Sequence, residues 1–350
     1  MRIKMSKGKT FFKRYFIDAM GAMAQGLFAS LLIGTIIGTI GDQFGIEILS
    51  TVAFYAKSTP VVGAAMAVAI GYALGADPLV LFSLATVGCV ANELGSAGGP
   101  LAVLVIAILA CECGRLVSKK TKIDILVTPF VTIFVGVVLS VLIAPYIGIA
   151  AKSVGNLIMW ATELHPFLMG MIVSLVIGLA LTLPISSAAI CAAFHLSGLA
   201  GGAAVAGCCA QMVGFAVMSF RENRWSGIVS QGLGTSMLQI GNIAKNPRIW
   251  IPPTLASMIT GPIATCVFKL QMNGAEIASG MGTCGLVGPI GVYTGWINDV
   301  ASGAKTTITA MDWIGLVLIC FLLPGVLSWL FGLILRRIGW IKEGDLKLES

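Results

Sequence analysis

The sequence predicts an all-α polytopic membrane protein of about ten transmembrane helices, with re-entrant hairpins and a candidate internal repeat. Three observations carry that expectation. The 350 residues are 57% apolar and only 11% charged, with a mean hydropathy of +0.96. Soluble domains carry about 25% charged residues. At about 20 residues per crossing plus loops, the length leaves room for about ten spans. The apolar runs are interrupted by many of the 43 glycines and 13 prolines. Small residues let helices approach closely in lipid, and breaks are tolerated where backbone lines a cavity. Finally, one stretch, Arg221 to Asn242, is apolar enough to enter a bilayer yet rich in amides and broken by glycine.

The net charge of +7 does not point to nucleic acid, because the Lys and Arg residues sit mostly at span ends, where they set topology. The nine cysteines lie in or beside apolar segments, and neither Cys111-Glu112-Cys113 nor Cys208-Cys209 has zinc-site spacing. No metal or cofactor is expected. No Walker A sequence, HExxH or nucleophile elbow is present, so no catalytic residue and no ATP-driven engine is expected in this chain.

In chain order, residues 1–18 form a basic, aromatic-containing segment suited to the inner membrane surface. The transmembrane domain is expected over residues 19–340 and a cytoplasmic tail over 341–350. Ala19–Ile40 is a clean span. Gly41–Thr59 reads as an outer connection with a short interfacial helix. Val61–Gly75 and Leu79–Ala91 are short spans separated by Ala76-Asp77-Pro78, and the second runs into Asn92-Glu93-Leu94-Gly95-Ser96-Ala97-Gly98-Gly99-Pro100. Leu101–Leu116 leads to a basic loop. Ile125–Ile147 is a full span, and Val154–Thr162 is a separate semi-apolar piece. His165-Pro166 starts a span that reaches Leu183, Pro184 interrupts it, and Ile185–Leu199 continues as a small-residue helix containing His195. Ala203–Phe220 completes that crossing. Ile251–Leu270 and Met311–Leu335 are further spans, and Ala278–Tyr293 holds too many glycines for a plain helix.

Basic clusters occur at the start, at 115–122, 221–224, 245–248 and 336–342, whereas 41–59 and 151–165 are poor in Lys and Arg. Both termini are therefore expected in the cytoplasm if 226–244 and 278–293 are re-entrant. Pro60 to Pro129 and Pro184 to Pro253 are equal separations within similar local sequences, which is the basis for an internal repeat.

Polar groups at membrane depth are costly unless paired or facing water, so they are the candidate solute ligands. Asn92 and Glu93 stand before a glycine-rich turn and can exchange hydrogen bonds with hydroxyls. Glu222 and Asn223, then Gln231, Gln239 and Asn242, form a second set, expected to share the cavity of the first. Glu222 has Arg221, Arg224 or a partner elsewhere in the chain to pair with. His195, near Ser186 and Ser187 at the Pro184 break, is a third candidate; a bond to a neighbouring carbonyl would explain it equally well.

At NELGSAGGP and RENRWSGIVSQGLGTSMLQIGNI the chain resembles the integral-membrane EIIC-like proteins of the bacterial phosphotransferase system. Within that family it is similar to the compact branch labelled sugar permease or perfringolysin O regulator-like. The resemblance implies a homodimer in the bacterial inner membrane and a sugar-type solute held near mid-membrane. In that family a glutamate and a histidine commonly meet sugar hydroxyls, so Glu93 or Glu222, with His195, would match those roles. Phosphoryl transfer would require separate EIIA and EIIB proteins, because the tail after Arg337 is too short to contain either. The resulting expectation is a carrier for a small polar solute working by alternating access. The alternative is a membrane-embedded solute sensor acting through a cytoplasmic partner.

Overall fold

The computed structural model describes residue 11 and residues 13–348. The basic segment expected at 1–18 therefore lies mostly outside the described residues. Helix α1 begins at Lys13 and runs to Phe44. Among the described residues there is no named strand; one antiparallel bridge joins Gly198 to Met272.

The N-terminal half is a set of helical hairpins. Helix α2, Glu47–Ala56, folds back on the end of α1, with Ala53 beside Gly38 and Ser50 beside Gly41. It meets α3, Thr59–Ala73, at a bend of 54°. Pro60 occupies the first turn of α3, where its missing N–H costs nothing. Helices α4, Pro78–Gly95, and α5, Gly99–Val117, are joined by the tight corner Ser96–Gly98. Ser96 has φ +49 there, in the left-handed half of backbone space. The two helices lie antiparallel: Gly114 of α5 packs on Val80 of α4, and Ser118 donates to Asp77. Lys119 also bonds Asp77, and these two donors hold its carboxyl below its usual range.

Helix α6 spans Asp124–Thr162 without a break. The sequence predicts two pieces, 125–147 and 154–162, because Lys152 and Ser153 interrupt the apolar run. Packing overrides that signal. Thr128, Thr132, Gly136, Ser140, Ala144 and Gly148 recur every fourth residue on a buried face, while Phe130, Phe134, Val138, Val141 and Leu142 are exposed. Small residues face protein and large apolar ones face outward, as expected of a helix in lipid. Gly148 sits against Gly95, and Gly155 against the ring of Phe194, so the helix is held on both sides of Lys152.

The C-terminal half begins with α7, Pro166–Thr182, and the short helix α8, Ser187–Ala193. Helix α9, Gly198–Met218, is almost wholly buried and packs against α7 and α12, Ile251–Pro262. Close approach explains the glycines: Gly170 and Gly261 each lie against the other's backbone. Helix α13, Val287–Ala301, follows a stretch of 3-10 turns over Glu276–Leu286, so the expected irregularity at 278–293 is confined to its first part. The last helix, α14, covers Ala310–Arg337.

Between α9 and α12 lies the amide-rich stretch. Helix α10, Phe220–Val229, kinks at Arg224 (φ +52, ψ −146), and Ser230–Gly234 prolongs it. Thr235 is extended, and Ser236–Gln239 leads into α11, Ile240–Lys245. The stretch is a hairpin within the protein rather than one straight helix. Asn223 at its start and Asn246 at its end both bond the same tail segment, residues 340–348.

Among the described residues, five helical stretches are long and apolar enough to cross a membrane, or six if the bent pair α2–α3 is one span. One of the five, Pro78–Val117, is the folded-back pair α4–α5.

Candidate functional site

Three breaks in helical structure converge on one place. The first is the Ser96–Gly98 corner after α4. The second is the Leu183–Ser186 break, where Pro184 stops α7 from continuing into α8. The backbone N–H of Ser186 donates to the carbonyl of Ala97 at 2.8 Å, joining the two breaks directly. The third is the run of 3-10 turns at Glu276–Gly280, which Ser187 reaches by donating to the carbonyl of Gly280 at 2.7 Å.

A cavity of about 830 Å³ lies where they meet. That is within the roughly 300–1,000 Å³ of small-molecule sites. Helix α4 and its corner contribute Asn92, Glu93 and Ser96, and the Pro184 break contributes Ser186. From α1 come Thr35, Thr39 and Asp42, and from the α2–α3 bend Lys57 and Thr59. Leu27, Leu31, Met281 and Ile290 supply apolar wall. Asn92 is buried, and its amide donates to the carbonyl of Thr59 at 2.8 Å, tying α4 to the start of α3. Glu93 is exposed to the cavity and has no ion-pair partner within 4.0 Å among the described residues. A free carboxylate, a fixed amide and several hydroxyls around an apolar wall can hold a polyol by its hydroxyls and its C–H face.

The second set of sequence candidates is placed elsewhere. The expectation that it shares this cavity is not met, since none of its members lines it. Instead the amides form a buried chain that grips the C-terminal tail. Gln231 donates to Ser219 at 2.9 Å and accepts from Gln239 at 2.8 Å. Gln239 donates to the Leu346 carbonyl and Asn242 to the Lys347 carbonyl, each at 2.9 Å. Asn223 donates to Leu346 and accepts from the N–H of Leu348. Leu346 itself is fully buried. The reason is satisfiability: a buried amide needs several partners, and tail backbone outside any helix supplies them. Glu222 pairs not with its neighbours but with Arg336 at 2.7 Å, an almost fully buried contact.

His195 also differs from expectation. Helix α8 ends at Ala193, so His195 lies beyond it, in a turn at φ +50. Its Nδ1 is 2.8 Å from Glu276 Oε1, the ring is largely exposed, and it does not line the cavity. Glu112 is likewise taken up, by Arg14 and Arg115.

Nothing in the sequence singles out Thr35, Thr39 or Lys57. Thr35 and Thr39 recur at helical spacing in the first span and donate to its backbone, so they read as ordinary helix residues. Lys57 reads as a residue of an outer loop.

Hairpin and cavity meet at α1. Leu27 and Leu31 line the cavity, while the ring of Phe28 between them packs on Gly234 near the hairpin tip. Ser236 at the tip bonds Thr182 at 2.7 Å, and Thr182 bonds Gln211 of α9.

No curated protein and no solved structure matches the chain significantly. A family model does: that of the phosphotransferase system EIIC matches residues 17–348, every helix after the opening turn of α1, and the chain belongs to that family.

Proposed function

We propose that the cavity at Asn92 and Glu93 is the solute site of a sugar-type membrane carrier. EIIC membership makes the chain an integral membrane transport component of the sugar class. The proposal goes further, to the site and the cycle. Glu93 accepts from solute hydroxyls, with Asn92 holding the α4 corner in place, and the site is exposed alternately to either side of the bacterial inner membrane. The observation that carries it is the convergence of three helix breaks on one polar cavity, joined by the Ser186–Ala97 and Ser187–Gly280 bonds. Interrupted helices lining a cavity are how transporters present backbone and polar groups at membrane depth.

The 225–245 hairpin is then re-entrant. Its two ends and the tail lie on one face, the cytoplasmic one by the distribution of basic residues. Its amides act as a clamp and not as solute ligands. Both termini are cytoplasmic, the protein acts as a homodimer, and separate EIIA and EIIB proteins supply phosphoryl groups to the carried solute.

The test is uptake of radiolabelled hexoses into proteoliposomes, with EIIA and EIIB proteins of the same source enclosed. Wild type should accumulate at least one sugar. Glu93→Gln should lose uptake about tenfold or more while remaining folded. Undiminished uptake by Glu93→Gln would reject this cavity. Solute binding without flux would favour the sensor reading instead.

A further inference from the structure

The cavity holds one lysine, and its placement is specific. Lys57 stands at the bend between α2 and α3, and its side chain runs along α1. A Cβ on Gly34 would lie 3.1 Å from the Lys57 Cγ, and one on Gly38 would lie 3.4 Å from its Nζ. The two glycines thus form a trough for the lysine stem. The ammonium ends beside Gly38, between the turns that present Thr35 and Thr39 to the cavity. No carboxylate lies within 4.0 Å of it among the described residues.

Two carboxylates share the lining and must be weighed against it. Asp42 accepts from Ser50 at 3.0 Å, at the far end of α1. Glu93 stands free on α4, on a different element from the lysine. An unpaired cation and an unpaired carboxylate therefore face one cavity from separate elements without meeting. That arrangement suits a solute that brings its own anion to the lysine and hydroxyls to Glu93. Helices α3, α5 and α13 also present first-turn residues to the cavity, Thr59, Pro100 and Val287. Their positive ends supplement the lysine, which carries the assignment.

We infer that Lys57 is a specificity-determining residue that selects a polyhydroxylated solute bearing a carboxylate, a sugar acid, over the neutral sugar. The inference rests on the reading of this cavity as the solute site. A lysine that merely reaches for the membrane surface would leave solute choice unaffected.

The test is equilibrium binding to the purified full-length protein in detergent, using hexose and hexuronate pairs of gluco, galacto and manno configuration. One hexuronate should bind about tenfold or more tighter than its hexose, because a hydrogen bond to a charged partner is the stronger kind. Lys57→Gln should abolish that preference and Lys57→Arg should retain it. Equal binding of hexose and hexuronate, or a preference that survives Lys57→Gln, overturns the inference while leaving the cavity as the solute site. Failure of every pair to bind overturns the solute-site reading and this inference with it.

Discussion

Neighbouring residues Asn92 and Glu93 do different work, and the difference can be measured. Asn92 is buried and bonded to the Thr59 carbonyl. Asn92→Ala removes that bond and should cost about 1 kcal/mol, seen as a lower melting temperature in detergent. Glu93 is exposed and has no ion-pair partner among the described residues, so Glu93→Gln should leave the melting temperature unchanged. Equal destabilisation by the two variants would contradict these assignments. Glu222 and Arg336 form a nearly buried pair, with side chains 4% and 15% exposed. Glu222→Gln leaves the arginine without its countercharge and should cost about 3 kcal/mol. The exchange Glu222→Arg with Arg336→Glu should recover part of it, and no recovery would show that the pair is not the source of the loss.

At the scale of elements, the hairpin over 225–245 and the C-terminal tail are one unit. Deleting residues 341–350 removes the Leu346 and Lys347 carbonyls that Gln239, Asn242 and Asn223 hold. Backbone amides of residues 230–243 should then exchange with deuterium faster, while those of α9 should not. Unchanged exchange in the hairpin would show that the tail is a passenger. Helices α3 and α4 make an equally specific prediction. Gly63 and Gly88 lie against each other's backbone, so Gly88→Val has nowhere to put its side chain. It should prevent recovery of monodisperse protein, whereas Gly21→Val, at a position with nothing within 4 Å, should be tolerated.

Across the whole molecule, what the sequence discloses is local. Asp77-Pro78, the glycines after Glu93, Pro184 and the glycines at 280–285 all mark real ends or breaks of helices, because Pro and Gly act on their own backbone. The family is legible too, from the stretches around Asn92–Glu93 and Arg221–Asn242. What depends on distant partners is not legible. The amides of Gln239 and Asn242 read as solute ligands because their real partners, the carbonyls of Leu346 and Lys347, are more than a hundred residues away. The continuity of α6 through Lys152 depends on Gly95 and Phe194, which no local pattern reveals. The meeting of the Ser96 corner with the Pro184 break is of the same kind. The central claim is that solute binds at Asn92 and Glu93 and not along the amide hairpin. Titration of a transported sugar or sugar acid into purified Glu93→Ala and Gln239→Ala proteins tests it most directly. Binding should be lost in Glu93→Ala and kept within about twofold in Gln239→Ala; loss in Gln239→Ala with wild-type binding in Glu93→Ala would contradict the account.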